Sequence, residues 1–387
     1  MITRDLQKQL LLLAKKMPVI ALTGPRQSGK TTLLKSAFPA YDYVNLEHPP
    51  TRTLALNDPD QFLANYTNGL IIDEAQRAPE LFSYLQVAVD KRKKMGHYIL
   101  SGSQNFSLIE NISQSLAGRV VLVNLLPFSY NELKEGNFKI KNSEQLIFKG
   151  AYPAIYDRKI SPSIYYSSYI NTYVERDVRQ LVNVQNLLLF ESFIKLLAGR
   201  VGQLLNLSEL GNSLGIDHKT VKKWLSVLET SYIVYLVQPY HTNFNKRLVK
   251  TPKLYFYDTG LACNLLGIDD EKQLINHWAK GALFENMVIN ELIKERMNKG
   301  VKPQFYFWRD GQGNEVDLLI QEKGTTKAIE IKSSKTYTPE FFKGLVYYSI
   351  ISKTEKKNLF LVYAGINELK TSQGELINWT STGKIND

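Results

Sequence analysis

The chain has 387 residues, 44% of them hydrophobic and 22% charged, with 48 basic and 37 acidic side chains and a net charge of +11. That length suits two or three domains with cores of their own, and the composition is that expected of a soluble globular protein. The single cysteine, Cys263, excludes a disulfide framework and a cysteine zinc site and fits a reducing cytosol, and the lack of a long apolar run argues against a membrane span.

The basic excess is spread along the chain. Residues 1–150, 151–270 and 271–387 carry +5, +3 and +3. A balance of this kind fits either a nucleic-acid partner or a plain solvated surface.

In chain order, the apolar stretch at Leu10–Leu13, followed by Lys15 and Lys16, reads as an amphipathic helix and not as a signal peptide. Short apolar segments then predict strands at 19–23, 43–46, 70–73, 98–101 and 120–125, alternating with helical stretches as in an α/β domain. The middle of the chain reads as mostly helical, with a β ribbon near 232–257. The last third predicts a helix at 282–296 and strands at 305–309, 315–320, 328–331 and 358–363. The expected organisation is four parts: a P-loop domain at 1–135, a helical linker or lid at 136–200, a winged helix at 201–268 and a further α/β domain at 269–387.

Gly24-Pro25-Arg26-Gln27-Ser28-Gly29-Lys30-Thr31 follows the first strand and opens a helix, which is the setting of a phosphate-binding loop. Gly24 and Gly29 let the backbone turn its N–H groups towards a β-phosphate. Lys30 reaches the β- and γ-phosphates of ATP, and the Thr31 hydroxyl ligates Mg²⁺. The strand ending at Asp73-Glu74 supplies the complement: Asp73 holds Mg²⁺ through water, and Glu74 orients the attacking water. The next strand ends in Ser101-Gly102-Ser103-Gln104-Asn105, where Ser103 is the expected contact to the γ-phosphate or the lytic water. Arg119, directly before the 120–125 strand, suits either an arginine finger or a structural role at a strand entrance. As a finger from a neighbouring subunit, it implies a nucleotide-dependent homo-oligomer.

These residues resemble those of the AAA+ ATPases of bacteria and archaea that carry a restriction-endonuclease-like C-terminal domain. The matching segments are Gly24 to Thr32, Ile72-Asp73-Glu74-Ala75-Gln76, Leu100-Ser101-Gly102-Ser103, Leu116-Ala117-Gly118-Arg119 and Tyr173-Val174-Glu175-Arg176-Asp177. The resemblance implies an AAA+ fold and ATP hydrolysis, and it places Arg26 and Gln76 in or beside the site. Glu175, Arg176 and Asp177 suit a structural salt bridge or a reporter of nucleotide state.

Residues 207–217 read as a helix and a glycine turn, and 218–230 as a second helix with Val221, Trp224, Leu225 and Leu228 on one face. His218, Lys219, Lys222 and Lys223 fall on the other face. Lys246, Arg247, Lys250 and Lys253 lie between the arms of the ribbon, the expected wing. From Gly215 to Lys253 there are seven basic and two acidic residues. Two readings stay open: contact with DNA through the second helix and the wing, or a winged helix that only packs on the ATPase core.

In the last third, Glu285 lies on the predicted helix, and Asp317 lies on the second arm of a hairpin that turns at Asp310-Gly311-Gln312-Gly313. Glu330 and Lys332 are two apart on the following strand and share a face. The pattern resembles the PD-(D/E)XK nucleases. By that resemblance Asp317 and Glu330 bind Mg²⁺, Lys332 activates water or steadies the transition state, and Glu285 assists from the helix. The sequence thus supports an ATPase acting on DNA or RNA through a nuclease-like domain. The alternative is a nucleotide-controlled interaction or signalling protein whose C-terminal domain is a non-catalytic platform.

Overall fold

The computed structural model describes residues 2–102, 112, 114–174, 187–240, 249–322 and 324–386. Ser103, Gln104, Asn105, Glu175, Arg176, Asp177, Lys246 and Arg247 lie outside these residues. The chain divides into two compact units. The first runs to Phe128 and adds Thr230–Tyr232 and Met297–Val301; the second holds Ser129–Glu229, Ile233–Arg296 and the chain from Lys302 onward.

The first unit is built on a five-stranded parallel sheet of β1 (Val19–Thr23), β2 (Asp42–Asn45), β3 (Leu70–Asp73), β4 (Tyr98–Ser101) and β5 (Val120–Asn124), in the order β2-β3-β4-β1-β5. Every residue of β1, β3 and β4 is buried. Their unbroken apolar runs follow from cover on both faces of the sheet. Ile20 and Leu22 pack with Leu6, Leu10, Leu33 and Leu34 on one face. Val19 and Ala21 pack with Phe62, Leu81, Phe82 and Leu85 on the other. The helix Lys30–Ala37 starts directly after Gly29, whose φ of 93° is a left-handed conformation that glycine adopts without strain.

The second unit carries an eight-stranded mixed sheet. Its strands are β6 (Val234–Pro239), β7 (Lys253–Phe256), β8 (Phe305–Arg309), β9 (Glu315–Glu322), β10 (Thr325–Lys332), β11 (Leu359–Tyr363), β12 (Leu369–Lys370) and β13 (Glu375–Asn378), in the order β12-β13-β11-β10-β9-β8-β6-β7. The helices Leu207–Leu214 and His218–Thr230 form as expected, joined at Gly215 in a left-handed conformation. The ribbon that follows them differs from the expectation. Its first arm, β6, pairs in parallel with β8, Gln238 with Tyr306 and Pro239 with Phe307. The ribbon therefore extends the C-terminal sheet. Among the described residues no helix is long and apolar enough to cross a membrane.

Candidate functional site

β4 lies between β1 and β3. Two strand spacings, about 10 Å, thus separate the strand that leads into the glycine loop from the strand that ends in Asp73. The gap is closed at the C-terminal end of the sheet, where Thr31 Oγ1 donates to Asp73 Oδ2 over 2.7 Å. The Tyr43 hydroxyl donates to the same oxygen over 2.8 Å, and the Glu74 N–H reaches Asp73 Oδ1 over 3.1 Å. Burial, followed by the Asp73 charge, pushes the Tyr43 hydroxyl well above its usual range, so it remains a donor.

Lys30 Nζ donates to the carbonyls of Gly24 and Pro25 at 2.9 and 2.8 Å. Gln27 and Glu74 both take positive φ, 60° and 53°, which non-glycine residues adopt only when the surroundings hold them there. At Glu74 one such hold is Gln76, whose Nε2 donates to Glu74 Oε2 over 2.6 Å. Ser28 Oγ, inside the loop, and Ser101 Oγ, at the end of β4, are buried without a hydrogen-bond partner. Buried hydroxyls of that kind are rare and mark a place where a ligand or water supplies the missing bond.

Three contributors escaped the sequence reading. Arg4 is buried and donates to the carbonyls of Ser28, at 2.8 Å, and Leu126, at 2.6 Å, bracing the loop from outside. Tyr43 bonds to Asp73. The Tyr232 hydroxyl lies 2.8 Å from Thr23 Oγ1 and accepts from Asn124 Nδ2 over 2.6 Å at the ends of β1 and β5. Each is remote in sequence from its partner, and no local pattern signals it.

Arg119 stands elsewhere. Its carbonyl accepts from Val19 N, at the start of β1, whereas the loop leaves the far end of that strand. Five residues of strand, about 16 Å, separate the two ends. The guanidinium makes a bidentate pair with Asp90, at 2.7 and 2.8 Å, on the helix Leu81–Arg92. A finger acting on nucleotide held in the same subunit is excluded by that placement.

In the second unit the expected convergence forms. β9 and β10 are antiparallel, with Leu319 opposite Ala328 and Leu318 opposite Ile329. The same register sets Asp317 opposite Glu330 on one face, with Glu315 and Lys332 one alternation further along. Asp317 Oδ2 accepts from the Ile331 N–H over 2.8 Å, and Lys332 Nζ lies 2.5 Å from Glu330 Oε1. Gly344 lets a neighbouring helix approach, since a β-carbon there would lie 2.7 Å from the Glu315 carbonyl oxygen. Glu285 arrives from the helix Lys280–Asn298, tied to β7 by Asn286, which bonds both the N–H and the carbonyl of Phe256.

One member of the cluster was expected elsewhere. Lys253 reads in the sequence as a basic residue of the wing, yet it is 3% exposed. Its Nζ lies 2.5 Å from Glu315, 3.2 Å from Glu285 and 4.0 Å from Asp317. The Tyr255 hydroxyl, two residues on, donates to Glu285 Oε1. Burial alone would lower the Lys253 ammonium, but Glu285, Asp317 and Glu315 around it outweigh that and raise it far above its usual range. Burial raises Glu285 and Glu330, with the Asp317 charge adding to both and the lysines opposing. Glu330 Oε2 is buried without a hydrogen-bond partner. Among the described residues no group of three or more His, Cys, Asp or Glu side chains is arranged to hold a metal ion.

On the helix His218–Thr230, Val221, Trp224, Leu225 and Leu228 are buried, and Lys219, Lys222 and Lys223 are exposed, as the periodicity predicts.

Residues 16–134 match the AAA domain family, 140–272 a domain of unknown function (DUF8612) and 280–382 a second one (DUF4143). Uncharacterized proteins of Mycobacterium bovis and Mycobacterium tuberculosis are each 32% identical to this chain over 366 residues, covering 94% of it and 80% of theirs. Among solved structures, a Walker-type ATPase of Pyrococcus abyssi has a TM-score of 0.46 at 15% identity, over 68% of this chain and 96% of that one. The chain belongs to the family of these mycobacterial proteins, and with its AAA domain it is an ATPase.

Proposed function

We propose that the chain hydrolyses ATP with Mg²⁺ at Gly24–Thr31 and Asp73–Glu74, and that this drives a nuclease-like C-terminal domain acting on nucleic acid. The observation that carries the first half is the Thr31–Asp73 hydrogen bond, which joins the two halves of the site across β4. A hydroxyl and a carboxylate are hard oxygen donors that suit Mg²⁺. Bound there, Mg²⁺ supplies charge neutralisation at the β- and γ-phosphate oxygens.

The protein's own residues do the rest. Backbone N–H groups of the loop and the start of the helix Lys30–Ala37 bind phosphate. Lys30 exchanges its bonds to the Gly24 and Pro25 carbonyls for bonds to phosphate oxygens. Thr32, Arg26, Gln27, Pro25 and Ser28 shape the loop. Glu74, aimed by Gln76, accepts a proton from the attacking water, and Ser103 contacts the γ-phosphate. In the C-terminal domain Asp317 and Glu330 would hold a divalent cation, and Lys332 would steady charge on the phosphodiester. The orphaned Glu330 Oε2 fits that role. Glu285 orients groups from the helix, while Lys219, Lys222, Lys223, Lys246 and Arg247 contact phosphates.

A second reading, in which the C-terminal domain is a non-catalytic platform controlled by nucleotide, is favoured by the lysine already seated among the carboxylates. Two measurements test the proposal. Lys30→Ala should lose ATP binding, and Glu74→Gln should bind ATP yet turn over about a hundredfold or more slowly; unchanged rates in both sink the ATPase mechanism. Divalent-dependent cleavage of DNA and RNA with ATP, ADP or neither, against a Lys332→Ala control, decides between the two C-terminal readings.

A further inference from the structure

We propose that the Lys253 ammonium is the built-in counter-ion of the Glu285, Glu315 and Asp317 carboxylates and, standing beside the position that Asp317 and Glu330 offer a divalent cation, keeps that cation out until Lys253 leaves. The inference rests on the nuclease-like reading of this face and adds a control to it.

Lys253 comes from β7, at the far edge of the sheet from the β9–β10 pair that carries Asp317 and Glu330. A lysine chain is normally exposed or extended towards water. This one is 3% exposed, and its Nζ reaches three carboxylates within 4.0 Å. Such an ammonium is retained because the carboxylates replace its water. It also satisfies them: Glu285 Oε1 receives both Lys253 and the Tyr255 hydroxyl.

The second lysine of the cluster does a different job. Lys332 pairs with Glu330 Oε1, leaving Oε2 of the same carboxylate buried and unpartnered. Glu330 is 8% exposed and lies opposite Asp317, so the orphan oxygen marks an unfilled position beside the lysine-filled one. A dication bound by Asp317 and Glu330 would stand close to the Lys253 charge, and like charges at that range repel strongly in a buried site. The two cations therefore compete.

The test is Mn²⁺ binding to the full chain, without nucleotide, followed by electron paramagnetic resonance and calorimetry. Lys253→Met should gain one Mn²⁺ site at least about tenfold tighter than any in the wild type, as expected when a buried like charge is removed. Adding Asp317→Asn to that variant should abolish the gain. A folded Lys253→Met with no added site overturns the proposal. So does a wild type that already binds Mn²⁺ tightly in an Asp317-dependent manner, a measurement that holds even if Lys253→Met fails to fold. Cleavage of DNA and RNA by the same variants is measured separately. A gained Mn²⁺ site with no cleavage of DNA or RNA sinks the nuclease reading and leaves the counter-ion standing.

Discussion

Gly24 sits so close to Leu125 that a β-carbon at position 24 would lie 2.1 Å from the Leu125 carbonyl oxygen, in a backbone conformation of φ +147°. The glycine loop thus leaves β1 pressed against the segment after β5, and the need for glycine comes from the fold as much as from phosphate.

That close approach makes Gly24→Ala a structural as well as a functional lesion. The substitution combines a backbone clash with a strained φ, so the first unit should lose about 2–4 kcal/mol of stability. Nucleotide binding should fall with it. Thermal melting and equilibrium ATP binding check both. A variant that melts normally yet fails to bind ATP would limit the role of Gly24 to the phosphate.

His97 gives the first unit a pH dependence. It is 1% exposed, and Arg92 Nη1 donates to its Nε2 over 2.9 Å. Burial, then the charges of Arg92 and Lys94, hold the imidazole below its ordinary range. The unfolded chain takes up this proton near pH 6.5, whereas the folded chain takes it up only at lower pH. The stability contribution is therefore present above about pH 6.5 and is lost as the pH falls through the folded value, by up to about 1.4 kcal/mol per pH unit. His97→Gln keeps an acceptor for Arg92 and should flatten the loss between pH 6.5 and 5. Denaturant unfolding at several pH values reads the difference.

What could be read in advance divides along the distance between partners. β1, β3, β4 and β8 fall at the predicted bounds because each is a short apolar run closed by a turn or a loop residue. The Gly24–Thr31 loop and the face shared by Glu330 and Lys332 depend only on local spacing. Lys253 does not. Its partners Glu315 and Asp317 lie more than sixty residues on, and by position it belonged with the basic residues expected on the wing. The parallel pairing of β6 with β8 is of the same kind: it joins segments that local pattern assigned to different domains. Arg119 was misleading for another reason. Its position before a strand was visible, but which end of the sheet that strand entrance occupies depends on the strand order.

The Arg119–Asp90 pair predicts a mild effect on catalysis. Its guanidinium is already engaged by both carboxylate oxygens, at the sheet end opposite the glycine loop. The Arg119 hydrogen bond also holds the Asp90 carboxyl below its usual range. Arg119→Ala and Asp90→Ala should behave alike and keep turnover within about twofold, against the thousandfold or greater loss expected of an arginine finger. Steady-state ATPase rates across a range of protein concentration check this. A large loss in Arg119→Ala alone, deepening with concentration, would instead establish a finger supplied between subunits.

The exposed lysines of the helix His218–Thr230 decide whether the middle of the chain touches nucleic acid. Lys219, Lys222 and Lys223 project from the face opposite the buried Val221, Trp224 and Leu225. None is needed for that core, so changing all three to glutamine should leave the melting temperature nearly unchanged. If they neutralise phosphates, each lysine releases counterions on binding. Removing one should then make the slope of log affinity against log salt shallower by about 0.9 on duplex DNA. The triple variant should lose affinity uniformly across sequences and flatten the slope by about two to three. Fluorescence anisotropy with a duplex at several salt concentrations measures both quantities. A wild type whose weak binding shows no salt dependence removes these lysines from any nucleic-acid interface and leaves the helix pair as a packing module.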